Sequence, residues 1–119
     1  MAGMDDTFAR DYVDDFNAAV RAGDFTGLLT RFADDAVIRF ENVPGAGVLE
    51  FAGRPAFTAA YAEQPPDDQI DITGPVHAAD RDLVIPFAWR ATGEPGTMRL
   101  TINGDRVDRM LVRFGPDAG

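Results

Sequence analysis

The chain has 119 residues, one domain's length, with 45% hydrophobic residues and a formal net charge of −9. That charge excludes nucleic-acid binding, which needs a surplus of Lys and Arg, and no stretch approaches the roughly 18 apolar residues of a membrane span. Serine, cysteine and lysine are absent and His77 is the single histidine. These absences exclude acyl-enzyme triads, Schiff-base chemistry, a phosphate-loop lysine and a His/Cys zinc site held by one chain.

The first expected element is a helix whose apolar stripe runs Phe8, Tyr12, Phe16, Val20, with Val13 and Ala19 beside it. Asp5, Asp6 and Asp11 suit its N-terminus and Gly23 its stop. Asp24 then caps a short helix through Leu28, Leu29 and Phe32. Ala36–Val43 reads as a strand in which Ile38 and Phe40 alternate with Arg39 and Glu41. Pro44-Gly45 turns the chain into a partner strand, Val48–Ala52. Gly53 with Arg54-Pro55 opens a third helix that ends near Gln64, before Pro65-Pro66. Strands over 69–78, 83–91 and 97–102 follow, and Asn103-Gly104 signals a hairpin into a last strand, Arg106–Phe114. Helices followed by a mostly antiparallel meander make an α+β fold in a single domain, residues 1–119.

Charge is uneven: residues 1–50 hold ten acids and four arginines, whereas residues 81–114 hold four acids and six arginines. Arginine as the only basic side chain besides His77, among many Ala, Gly, Asp and Pro, fits a GC-rich, bacterial genome. The short acidic start lacks a signal peptide's apolar run and no disulfide is possible, so the expected location is cytoplasmic.

The order of elements, together with Ala22-Gly23-Asp24, Phe32-Ala33-Asp34-Asp35-Ala36, Gly53-Arg54 opening a helix to Tyr61, Thr73-Gly74-Pro75-Val76 and Pro86-Phe87, resembles the nuclear transport factor 2-like superfamily. The nearest likeness is to ketosteroid isomerases and SnoaL-like polyketide cyclases. The resemblance implies a curved sheet wrapped around helices, a conical pocket and a homodimer. Ketosteroid isomerases use an aspartate base and an oxyanion hole of a tyrosine and a protonated aspartate. Carried over through Ala33-Asp34-Asp35-Ala36, Gly23-Asp24 and the Asn103-Gly104 turn, those positions fall at Phe40, Phe16 and near Met98, all apolar. A steroid isomerase of the usual mechanism is therefore not implied. Tyr61 matches a tyrosine of the family's pocket network, and its usual partner is here Phe32.

Strand alternation turns the same set inward: Ile38 and Phe40; Ile85, Phe87 and Trp89; Met98, Leu100 and Ile102; Met110, Val112 and Phe114. With Tyr12, Phe16, Phe32 and Tyr61 these residues, Ile102 apart, are the expected lining of a hydrophobic ligand site. Proton-transfer candidates are few. Tyr12 lies one turn before Phe16 on the same helix face. Tyr61 lies by the pocket, Glu41 is the carboxylate nearest Phe40, and Asp108 shares parity with Met110. Alternation alone places Glu41 on the far face, paired with an arginine such as Arg39, unless a bulge near Asn42 reverses it. His77 reads as an exposed strand-end residue.

Arg39, Arg90, Arg99, Arg109 and Arg113, with Val107 and Leu111, fall on the opposite, convex face. The expectation there is a homodimer in which acids such as Glu41 oppose these arginines across a two-fold axis. No metal or organic cofactor is expected. Two functions fit the residues: binding of a small polyketide- or steroid-like molecule, with isomerisation or cyclisation assisted by Tyr12, Tyr61, the Trp89 N–H or a rim carboxylate; or a non-catalytic homodimeric module whose aromatic side chains fill the cone.

Overall fold

The computed structural model describes residues 2–115, with side chains described from Thr7 onward. Helix α1 (Ala2–Ala22) buries Ala9, Tyr12, Val13, Phe16 and Ala19 along one face. Gly23 ends it with φ at 68°. Its N–H bonds the Val20 carbonyl, and the Asp24 N–H reaches back to Ala19 at 3.1 Å, so the last turn keeps its partners. Asp11 is exposed on this helix, while Asp5 and Asp6 lie outside the described side chains.

Helix α2 (Thr26–Leu29) is a single turn. The Asp24 carboxylate accepts the Thr26 N–H at 3.0 Å, and this bond holds its carboxyl below the usual range. The helix was expected to reach Phe32 but stops at Leu29. The Thr30 hydroxyl closes the turn onto the Gly27 carbonyl, and the Arg31 carbonyl accepts the Val107 N–H at 2.8 Å. That sheet bond draws Phe32 into strand β1 (Phe32–Val43).

The chain continues through β2 (Gly47–Ala52), α3 (Arg54–Glu63), β3 (Ile70–Ile72), β4 (His77–Ala79), β5 (Asp82–Trp89), β6 (Pro95–Asn103) and β7 (Arg106–Phe114). Along the sheet the order is β2-β1-β7-β6-β5-β3, with β4 also on β5. Every pairing is antiparallel except β1 with β7, which run parallel. Helix α3 packs against β1 and β2, and α1 against β3, β4 and β5. Helices therefore cover the inner face of an open sheet in an α+β fold, and the core lies between them.

One expected strand, 69–78, is two. Pro75 has no N–H to give a ladder, and the chain leaves the sheet after the Thr73 N–H bonds the Pro86 carbonyl. It rejoins at His77. The next strand stops at Trp89 rather than Ala91, because Gly93, at φ 77°, closes a turn onto the Trp89 carbonyl.

Two bulges decide which side chains face inward. Between β6 and β7 the register steps from Thr101↔Arg109 to Ile102↔Val107, leaving Asp108 as the extra residue. Val107 thus turns into the core, fully buried, instead of joining the convex face as strict alternation implies. Asp108 loses the parity it was expected to share with Met110. The second bulge lies between Phe40 and Val43, with Asn42 at φ 58°. It falls beside Glu41 without reversing it, and Glu41 stays on the outer face bonded to Arg39.

Edge strand β3 is held by a side chain. The Asn17 amide donates to the Ile70 carbonyl and its oxygen accepts the Ile70 N–H, both at 2.9 Å. A buried amide on α1 thereby replaces a missing strand partner.

Candidate functional site

A cavity of about 190 Å³ opens between α1, the end of α3 and the inner face of the sheet. Its walls are Tyr12, Phe16, Phe40, Tyr61, Gln64, Pro66, Ile70, Phe87, Trp89, Met98, Met110, Val112 and Phe114. Helix periodicity delivers Tyr12 and Phe16. Strand alternation delivers Phe40 from β1, Phe87 and Trp89 from β5, Met98 from β6, and Met110, Val112 and Phe114 from β7. The aromatic rings brace one another. Trp89 stacks on Phe114 with centroids 5.9 Å apart, Phe87 meets Trp89 edge-on at 5.7 Å, and Phe40 lies 6.3 Å from Phe114.

Gly96 makes room for this wall. It faces Phe87 across the β5–β6 ladder, and a Cβ there would stand 2.5 Å from the tip of the Phe87 ring. The ring lies flat over the glycine, and only a residue without a side chain permits that placement.

Of the residues expected to line the site, Tyr12, Phe16, Phe40, Tyr61, Phe87, Trp89, Met98, Met110, Val112 and Phe114 do so. Phe32, Ile38, Ile85 and Leu100 do not. All four are fully buried in the core cluster, closed in by other side chains. Phe32 meets Tyr12 and Phe57 edge-on instead. Gln64, Pro66 and Ile70 line the cavity without having been expected there, because the path of the chain after α3 decides their placement. Phe16, Phe40 and Met98, where the family resemblance puts catalytic groups, all face the cavity as apolar walls.

The candidate carboxylates lie elsewhere. Glu41 accepts Arg39 Nε–H at 2.8 Å on the convex face, with Glu50 on the other side of the same guanidinium at 3.3 Å. These bonds raise the Arg39 pKa. Asp108, at its bulge, borders an outer groove with Asp35, Arg81 and Arg109. His77 is exposed at the start of β4. Arg90 binds Asp71 at 2.8 Å, and Arg99 binds Asp82 at 3.1 Å. The acids expected to bridge a dimer axis are thus largely engaged within the chain.

No charged side chain lines the cavity, and its polar groups are the two tyrosine hydroxyls, the Gln64 amide and the Trp89 indole N–H. The Tyr12 hydroxyl donates to Met110 Sδ at 3.4 Å, a weak acceptor. Burial raises its pKa well above the ordinary value, and a neighbouring Tyr61 charge would raise it further, against a smaller opposing pull from Arg31. Tyr61 is also raised by burial. Both therefore remain neutral hydrogen-bond donors at physiological pH and supply no base. Among the described residues, no three acidic or His side chains gather to hold a metal ion. No helix among them is long and apolar enough to cross a membrane.

Helices laid over an open, curved, mostly antiparallel sheet, with an apolar cavity between them, define the nuclear transport factor 2-like class. Residues 13–115 match the SnoaL-like domain, and the chain belongs to that family. Its fold is similar to that of a nuclear transport factor 2-like protein from Burkholderia xenovorans (17% identity, 98% of this chain and 89% of that one, TM-score 0.68). A candidate ketosteroid isomerase from Kribbella flavida is similar at 23% identity, over 95% of this chain and 78% of that one, with TM-score 0.67. A candidate isomerase from Bacillus subtilis shares 18% identity over 94% and 89% of the two chains, with TM-score 0.69. No protein of curated function matches in sequence.

Proposed function

We propose that the chain is a binding protein for small, largely apolar molecules of about one ring. The observation that carries this is the 190 Å³ cavity walled by mutually braced aromatic side chains and lacking any charged group. An engineered apolar cavity of about 150 Å³ accepts benzene, whereas drug-sized ligands occupy about 300–1,000 Å³. The size favours a monocyclic ligand, or one ring of a longer molecule, over four fused rings. It also weighs against a cone filled by its own side chains.

Isomerisation or cyclisation of a polyketide- or steroid-like substrate needs a group to abstract a proton. Glu41 and Asp108 lie away from the cavity, and two desolvated tyrosines are poor bases. Support is therefore stronger for binding, with the hydroxyls orienting the ligand, than for acid–base catalysis. Native mass spectrometry against monocyclic and fused-ring ketones tests this. A 1:1 adduct with the monocyclic compounds supports the reading, and no adduct with any compound contradicts it.

The proposed partner, besides the ligand, is a second copy of the chain across the convex sheet face. Half-buried Val37, Val84 and Leu111 offer an apolar centre, and Arg109 and Arg113 have no ion-pair partner among the described residues. Sedimentation velocity at micromolar concentration distinguishes the dimer from a monomer.

A further inference from the structure

We propose that the outer edge of β2 docks a second copy of this chain, strand against strand and antiparallel, about a two-fold axis at Leu49. The contact is weak and reversible. It uses the edge of the sheet, not its convex face, and stands apart from the ligand reading of the cavity.

Strand β2 ends the sheet and pairs with β1 alone among the described residues. The Gly53 N–H bonds the Ala36 carbonyl at 2.8 Å, which makes Ala36–Gly53 a hydrogen-bonded pair. Such pairs alternate along an antiparallel ladder, so Leu49 and Phe51 turn their backbone groups toward β1. Val48 and Glu50 turn theirs outward. The same strand carries Val48 and Leu49, the two exposed large apolar side chains among the described residues, at 49% and 40% exposure. The opposite edge of the sheet is closed. There β3 has three residues, Asn17 takes both outward groups of Ile70, and Asp71 is paired with Arg90. With six residues and its outward groups bare, β2 is the edge open to another strand.

The strand's own sequence selects a second copy and fixes the register. Opposed residues share a face, so the two-fold axis passes through one residue of β2. Through Glu50 it would set two carboxylates opposite each other, which is destabilising. Through Val48 it would face Leu49 with Gly47, which has no side chain to meet it and leaves the extended conformation at φ 76°. Through Leu49, Val48 of each copy faces Glu50 of the other, and these pairs exchange their outward backbone bonds. Leu49 then meets Leu49 of the second copy in a close pair, with Cα atoms about 4.5 Å apart. Arg39 holds Glu50 from the β1 side at 3.3 Å and so draws its carboxylate away from the junction. An unrelated extended peptide could take the backbone bonds, but symmetry supplies the Leu49–Leu49 contact only in a second copy. A junction of this length buries less than the roughly 1,000 Å² of a stable interface, so the copies separate at micromolar concentration.

The chain has no cysteine, so single introduced thiols report the register without background. Leu49→Cys and Glu50→Cys are to be oxidised separately with a glutathione redox buffer at millimolar protein. Leu49→Cys should form its disulfide-linked dimer roughly tenfold faster, because its register alone brings the two Cα atoms within the reach of a disulfide. Arg39 lies beside residue 50 and makes the Glu50→Cys thiol the more reactive, so thiol chemistry by itself gives the reverse order. The wild-type chain provides a reading that needs no substitution. Amide exchange at Val48 and Glu50 should slow as protein concentration rises from micromolar to millimolar, while exchange at Leu49, already bonded to β1, changes little. Leu49→Glu, with its far-ultraviolet spectrum intact, should lose that concentration dependence. Cross-linking as fast at Glu50→Cys as at Leu49→Cys overturns the pairing, and so does wild-type exchange that ignores concentration. Slowing that survives Leu49→Glu shows that the copies meet through another surface and overturns it too.

Discussion

Phe87 and Gly96 face each other across β5 and β6 so closely that a single added carbon at Gly96 would stand 2.5 Å from the ring. The cavity's back wall depends on this contact, since Phe87 lies flat where any other residue would lift it. Gly96→Ala should push the ring toward Trp89 and Met98, shrinking the cavity. Overpacking of this kind costs about 1–3 kcal/mol. Thermal denaturation of the variant should show a midpoint lower by several degrees; an unchanged midpoint would show that the ring moves freely.

The Asn17–Ile70 clip is the second dependence. Asn17→Ala leaves the N–H and C=O of Ile70 without partners at a buried edge. Each unsatisfied group costs about 1–3 kcal/mol, so a loss of roughly 2–6 kcal/mol in a denaturant titration is expected. Amide exchange locates the effect: protection at Ile70 should fall far more than protection at Leu100.

How far these features were legible in the sequence differs from element to element. Period-two alternation was enough to aim Phe87, Trp89, Met98 and Phe114 inward, and the four-residue spacing aimed Tyr12 and Phe16. What alternation could not reveal was the bulge at Asp108, because one extra residue leaves no compositional trace. It reverses every parity assignment before it and moves Val107 from the convex face to the core. Nor does an asparagine within an amphipathic helix announce that it will serve as a strand partner. Ile38, Ile85 and Leu100 carry the same inward pattern as the cavity residues. Depth along the cone, which separates core from wall, depends on curvature that no local pattern encodes. Gln64 and Pro66 reach the cavity for a similar reason: Pro65-Pro66 marks only where α3 must stop.

Burial of the two tyrosines sets a pH dependence. Both have folded-state pKa values raised above the unfolded value of about 10. Folding thus holds their protons more tightly, and their contribution to stability is fully present below about pH 10. Above that the unfolded chain releases protons first, and stability falls by up to about 2.7 kcal/mol per pH unit if both take part. Urea midpoints measured between pH 8 and 11.5 should drop steeply beyond pH 10. Tyr12→Phe and Tyr61→Phe should each flatten that drop; a slope unaltered by either substitution would assign it to other groups.

The convex face offers a separate test. Leu111 lies mid-strand on β7 between Arg109 and Arg113. Leu111→Glu should convert a sedimenting dimer into a monomer while leaving the far-ultraviolet spectrum intact. A wild-type monomer at micromolar concentration would remove the proposed interface.

The most direct test of the cavity as a ligand site uses its own methionines. The sequence has four, and Met98 and Met110 line the cavity whereas Met1 and Met4 belong to the N-terminal segment. With methyl-labelled methionine, a saturating monocyclic ketone should shift the Met98 and Met110 resonances along one isotherm at one ligand per chain, leaving Met1 and Met4 in place. Shifts absent from both cavity methionines, or spread equally over all four, would contradict a ligand site in the cone.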